Sequence, residues 1–332
     1  MNTPAPKNSA LTNMYWLVKR EFWEHRGGFL WAPVITGGIF LLLNLMGIIT
    51  AEVLGAQHGI HFGASGELRN VMSRMDAGDM SKVGMVLDVA MYSAMAIITV
   101  VLGFVVFFYC LGALYDDRRD RSILFWKSLP ISDTGTVLSK VLSATVLAPV
   151  IAVLVGIVAG MAQLLMVAIT LSFHGINVWQ LLMQAHPFRV MANLIGYIPI
   201  YVLWAMPAVG WLLFASAWAR NKPFLWAVAL PVATGLLITW FGIMGLFNLP
   251  AAWFWGNVVQ RGLLSVFPGS SVISNVNDTS AFQHPSPGQE GFGVDLWQAY
   301  HIMTTPNLWI GVIAGIALIA AAIWFRRWRD DS

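Results

Sequence analysis

The sequence predicts an all-α polytopic membrane protein with six transmembrane helices. Three observations carry that reading. Hydrophobic residues make up 58% of the 332 residues and charged residues only 11%, where a soluble domain carries about a quarter charged. Six stretches of at least 25 residues contain no Asp, Glu, Lys or Arg. Basic residues are shared unevenly between the segments that join those stretches. A soluble globule of this size cannot hide so much apolar surface and cover itself with so few charges. The composition excludes a soluble enzyme, a disordered chain and a nucleic-acid binder, and a net charge of +3 is too small for a nucleic-acid face. Cys110 is the single cysteine and lies in an apolar run. No disulfide framework or Cys-based metal site can form within one chain.

Residues 1–28 read as a basic amphipathic helix lying on the inner leaflet. Leu11, Met14, Tyr15, Val18 and Phe22 fall on one helical face. Lys19, Arg20 and Arg26 add positive charge, and Trp16 and Trp23 add interfacial aromatics. Acids accompany the bases and no small-residue cleavage site follows an early apolar core, so no signal peptide is expected.

The six charge-free runs place the spans, because a membrane helix needs about 20 apolar residues. Four runs hold one span each. Val141–Phe188 turns polar after Leu171, and Pro223–Gln260 is interrupted at Asn248 and Pro250. The expected spans are 29–51, 89–115, 141–171, 190–218, 223–246 and 307–325, within one transmembrane domain that covers 1–332. Pro33, Pro149, Pro199, Pro207 and Pro231 fall inside them and should distort the helices. Asn44 and Gln163 are the amides well inside spans one and three, and neither has an evident partner in the sequence. Every expected span is free of ionisable residues through its core.

The basic residues orient the chain. Fourteen of the nineteen Lys and Arg lie in the N-terminus, 116–140, 220–222 and the C-terminus. The other five are Arg69, Arg74, Lys82, Arg189 and Arg261. The positive-inside rule puts the richer set, and both termini, in the cytoplasm. Outside are 52–88, 172–189 and a long segment, 247–306. The first outer loop holds His58 and His61 with no third ligand in view. Within 247–306, an aromatic, interrupted stretch carries Trp253 and Trp255 and breaks at Pro268 and Gly269. It is too broken to span, and a re-entrant or interfacial helical hairpin is expected.

The cytoplasmic segment 116–140 is the most informative. It opens with six consecutive charges, Asp116 to Arg121, then Ser122 and the run Ile123, Leu124, Phe125, Trp126, Lys127 and Leu129. Pro130 should end any helix begun near Ser122. Ser132 and Asp133 read as the N-cap and first turn of span three. A short helix presenting apolar groups and a Trp to the cytoplasm marks a docking surface.

This order of features resembles the permeases of the ABC-2 class, the membrane subunits of bacterial ATP-binding-cassette exporters. The residues that carry the resemblance are Asp116–Ser122, Phe125-Trp126-Lys127-Ser128-Leu129-Pro130-Ile131-Ser132 and Ser139-Lys140. The layout of an amphipathic lead-in, six spans and an outer hairpin ahead of the last span is similar across nearly the whole chain. The resemblance implies that 121–129 is a coupling helix seated in a groove of an ATPase subunit. The implied interface comprises Asp117, Arg118, Arg119, Arg121, Ser122, Phe125, Trp126, Lys127, Leu129 and Pro130. Tyr15, Lys19, Arg20 and Phe22 belong to the amphipathic helix. It further implies two permease subunits, identical or not, surrounded by lipid in the bacterial inner membrane. Two ATPase copies carry ATP and Mg2+, and this chain is non-catalytic with no cofactor of its own. The chain lacks the P-loop pattern G-x-x-x-x-G-K-[ST]. Spans one, two and five would line the path, and their apolar, aromatic character favours a lipidic, peptide-like or amphipathic substrate. An ion-coupled secondary transporter, a membrane-embedded enzyme and a membrane anchor are the competing classes. The first lacks an ionisable residue at membrane depth. The second lacks a clustered set of His, Asp or Glu. The third leaves the Ile-Leu-Phe-Trp run unexplained.

Overall fold

The computed structural model describes residues 10–57, 77–120, 132–173, 183, 185–245, 251–270 and 296–328. Among these residues there is no β-strand, and six helices are long and apolar enough to cross a membrane. They are span one (Gly27–Leu54), two (Lys82–Arg119), three (Asp133–Phe173), four (Pro187–Trp218), five (Leu225–Ile243) and six (Pro306–Trp328). The N-terminal helix, Ala10–Glu24, precedes them. Each span lies where a charge-free run predicted it, because backbone groups in hydrocarbon must be satisfied within the helix. The ends move by a few residues. Span two moves most, since its helix already begins at Ala77.

Spans two, three and four form the centre and span six packs on span four. The main core includes Ile98, Leu102 and Val106 of span two, Ala144, Ala148 and Ala152 of span three, and Ala205, Val209 and Leu212 of span four. Small residues let backbones approach, which is how helices associate where no water drives them together. Spans four and six meet at Gly210 and Gly315. A Cβ on Gly315 would lie 2.5 Å from the Met206 carbonyl oxygen, and one on Gly210 would lie 2.5 Å from the Gly315 carbonyl oxygen. Spans one and five are peripheral, with 6% and 17% of their most apolar windows buried against 61% for span four.

The prolines act in a regular way. Spans one, three and five each contain a wide, π-type turn: Gly27–Trp31, Ser143–Leu147 and Leu225–Ala229. Each turn is followed two residues after its end by a proline, at 33, 149 and 231. A proline ring has no N–H and collides with the carbonyl four residues back, and widening the preceding turn relieves the collision. Pro199 sits in the first turn of Ile198–Trp218, where its missing N–H costs nothing, and Pro207 lies inside that helix. The link between spans four and five is tight, and Lys222 there adopts the left-handed region at φ 48°.

The segment between spans five and six shows helical turns over 251–264. Trp255 Nε1 donates to Thr239 Oγ1 of span five at 2.9 Å, and its ring lies over Gly235. The chain then turns through Pro268 and Gly269, whose φ is +86°, a conformation that suits glycine. Phe267 fills the notch left by Gly103 in the middle of span two and meets Phe104 edge-on at 5.1 Å. Tyr201 and Trp204 of span four hold this turn, donating to the Val266 carbonyl at 2.9 Å and the Ser270 hydroxyl at 3.0 Å. Trp253 is exposed. The rest of 247–306 up to 295, His58 and His61 lie outside the described residues.

Candidate functional site

One end of the bundle gathers ionic groups into its interior. Glu21 of the N-terminal helix and Lys140 of span three are each 1% exposed. The Lys140 ammonium lies 3.2 Å from Glu21 Oε1 and 3.4 Å from Asp117 Oδ2. Arg326 of span six binds the same Asp117 oxygen through Nη1 at 3.3 Å, and Asp133 through Nε at 3.1 Å. Arg20 adds a contact to Glu21 at 3.2 Å and one to Glu24 at 3.0 Å. Tyr109 of span two donates its hydroxyl to Glu21 Oε2 at 2.8 Å. The cluster therefore ties together the N-terminal helix, the end of span two, the start of span three and the end of span six.

Local structure puts each group there. Ser132 caps span three by accepting from the Gly135 amide at 3.1 Å, as the sequence predicts. The cap fixes Asp133 in the first turn, with Lys140 two turns further along the same helix. At the end of span two, the amides of Leu114 and Tyr115 both donate to Ser216 Oγ of span four, at 3.0 and 2.9 Å. Arg118 then donates through Nη2 to the carbonyls of Ser216 and Ala219, so a cation closes the C-terminal end of span four.

The sequence-predicted residues divide. Asp117 and Arg118 turn inward and bond to spans three, four and six, while Arg119 is exposed. Arg121, Ser122, Phe125, Trp126, Lys127, Leu129 and Pro130 lie outside the described residues. In the N-terminal helix, Leu17 and Glu21 form the strip facing the protein, and Tyr15, Trp16 and Trp23 face away. Phe22 is half-buried, and Lys19 stacks over the Trp16 ring at 4.7 Å. Of the apolar stripe, Leu11 and Tyr15 are exposed while Met14, Val18 and Phe22 are half-buried, and the fully buried strip of Leu17 and Glu21 was not visible from its spacing.

Two sequence expectations need correction. Asn44 and Gln163 do have a partner, each other, with Gln163 Nε2 donating to Asn44 Oδ1 at 3.3 Å. Asn44 Nδ2 in turn donates to the Phe40 carbonyl of its own helix at 2.9 Å, so the two amides form a short interhelical link. Span two also carries a buried acid. Asp88 accepts from the His186 amide at 2.9 Å and faces His186 Nδ1 at 3.2 Å, near the end of the bundle opposite the ionic cluster. The sequence places Asp88 just before the span, and the helix extends past it.

The charges of the cluster are paired with one another. Ligand atoms of Glu21, Glu24 and His25 lie within 4.8 Å of one another. The Glu21 oxygens, however, are occupied by Lys140, Arg20 and Tyr109, which leaves a cation nothing to displace cheaply. An apolar cavity of about 170 Å3 opens between spans four and five, lined by Trp211, Phe214, Ala215, Trp218, Trp226 and Leu230. No protein-family model matches the chain, and no curated protein or solved structure is significantly similar to it.

Proposed function

We propose that the chain is the membrane permease subunit of an ATP-binding-cassette exporter of the ABC-2 class. Its energy comes from separate ATPase subunits that dock on 121–129. The observation that carries the reading is the pair of salt bridges from Asp117 to Lys140 and Arg326. Asp117 lies four residues ahead of the docking segment, so displacement of that segment pulls on the start of span three and the end of span six and, through Lys140 and Glu21, on the amphipathic helix. In this reading the ionic end is cytoplasmic, since it collects the basic-rich segments, and both termini are there. Residues 251–270 form one limb of a re-entrant outer hairpin. Two permease subunits face each other in the inner membrane, and peripheral spans one and five, with span two, border an apolar path for a lipidic or amphipathic substrate.

The test is reconstitution of the purified chain in liposomes with and without its ATPase. Transport of a lipid or amphipathic drug that requires ATPase and ATP is expected. The change Phe125→Ala, Trp126→Ala should abolish it while leaving the chain inserted, since buried aromatic anchors each carry about 2 kcal/mol or more of docking energy. Asp88 with His186 is the feature that suits an ion-coupled carrier. Flux through the isolated chain driven by a proton or sodium gradient, indifferent to ATP, would establish that alternative.

A further inference from the structure

At the end of the bundle away from the ionic cluster, the half-buried Arg261 has no counter-ion among the described residues. Arg261 lies in the segment between spans five and six, with its guanidinium carbon 3.7 Å from the centroid of the Trp204 ring. Its Nε and Nη2 atoms are buried and make no hydrogen bond. One helical turn on, Ser265 Oγ is also buried without a partner, and residues four apart share a helix face. The Gly311 backbone in span six forms the floor, where a Cβ would lie 2.5 Å from Nη2. The guanidinium therefore occupies this seat only because residue 311 has no side chain. A guanidinium keeps its proton in proteins, so this group is a cation at neutral pH.

Buried donors without acceptors are rare in folded proteins, and each marks a missing partner. An unpaired charge at membrane depth marks a functional site for the same reason. Two facts identify the partner's chemistry. The free donors belong to a planar fork, which matches the oxygens of a phosphate. The depth is that of a lipid headgroup: Gly311 is the sixth residue of Pro306–Trp328, so at 1.5 Å per residue the site lies about 7 to 8 Å from the start of the span. That is close to the boundary between headgroups and hydrocarbon. Ile302, Leu308 and Val312 pack with Trp204 in a buried apolar cluster that holds the Trp204 ring in place beneath the guanidinium.

We propose that Arg261 binds the phosphate of an anionic membrane phospholipid, with the Trp204 ring holding the guanidinium plane and Ser265 supplying a second donor. The site does not depend on the exporter reading, since an anchor or a carrier could hold it equally.

The experiment uses the full chain, stripped of co-purified lipid in detergent. Binding is followed by native mass spectrometry and by the thermal midpoint. Three probes are added: dioleoyl-phosphatidylglycerol, dioleoylglycerol with the same chains and no phosphate, and inorganic phosphate. The expected result is that phosphatidylglycerol binds and raises the midpoint. Arg261→Gln should weaken that binding by at least about tenfold, the loss of one charge-assisted hydrogen bond. Gly311→Ala keeps the charge but displaces it, and should weaken binding in the same direction; it also decides the matter if Arg261→Gln does not fold. Equal retention of phosphatidylglycerol by the wild type and by a folded variant overturns the site. So does equal binding of phosphatidylglycerol and dioleoylglycerol. A shift with inorganic phosphate alone, lost in the variant, overturns the lipid assignment in favour of a soluble anion.

Discussion

Lys140 and Glu21 stand 119 positions apart in sequence and meet side by side, each almost wholly buried, with the ammonium 3.2 Å from the carboxylate. The pair seats an amphipathic surface helix on the head of a membrane span. Removing one member leaves a buried charge behind, which costs about 3–5 kcal/mol. Lys140→Met should therefore destabilise the chain by that order in detergent unfolding. Adding Glu21→Leu should recover much of the loss, because the double change leaves no orphan charge. Additive losses in a double-mutant cycle would show that the two groups do not act as a pair.

The Gly210 and Gly315 contact sets a second expectation. Any side chain there meets backbone, which cannot move aside. Gly315→Ala should cost about 1–3 kcal/mol, the usual price of overpacking. Gly242→Ala is the control. It has open space around it and lies in helix Leu230–Ile243, so it should be neutral or stabilising by up to about 1 kcal/mol. Equal effects at 242 and 315 would contradict the close approach of spans four and six.

Ser216 accepts from two backbone amides at the end of span two. Ser216→Ala orphans both and should destabilise by about 1–3 kcal/mol, while Ser216→Cys should cost less by keeping a weak acceptor. Amide exchange at Leu114 and Tyr115 should quicken in the alanine variant. Unchanged exchange there would mean that water reaches these groups.

Orientation is testable by labelling. Cys110 is buried, so the native chain supplies the blank. Cysteines placed at Lys127 and Asn221 should be shielded from an impermeant thiol reagent in intact cells, and ones at Ser65 and Ser286 should react. The reverse pattern would invert the chain in the membrane.

The spans were legible because hydrocarbon imposes one rule on every residue of a helix, and a charge-free run expresses it locally. The N-cap at Ser132 was legible for the same reason, since its partner is three residues away. The ionic cluster was not. Glu21, Tyr109, Lys140 and Arg326 come from four separate elements, and sequence spacing carries no information on which helices touch. Lys140 and Arg326 read as two more basic residues on the cytoplasmic side, and nothing local separates a buried ammonium from a solvated one. Glu21 gave the one available hint, an acid one turn beyond Leu17 on the same face of the helix. Asp88 was missed by counting the span from the first charge-free residue, which assumes that an acid ends a helix. In fact, a paired acid can sit inside one.

The widened turns ahead of Pro33, Pro149 and Pro231 occur in the three spans that start from the ionic end. A π-type turn next to a proline thins the hydrogen-bond ladder locally. The three weak points lie in alternate spans, near the end where those spans begin. Bending stiffness along each of these helices is therefore lowest there, with stiffer rod on the far side. A load applied at the ionic end would be taken up as rotation about that layer of joints, and the far two-thirds of the bundle would swing as levers without losing their packing.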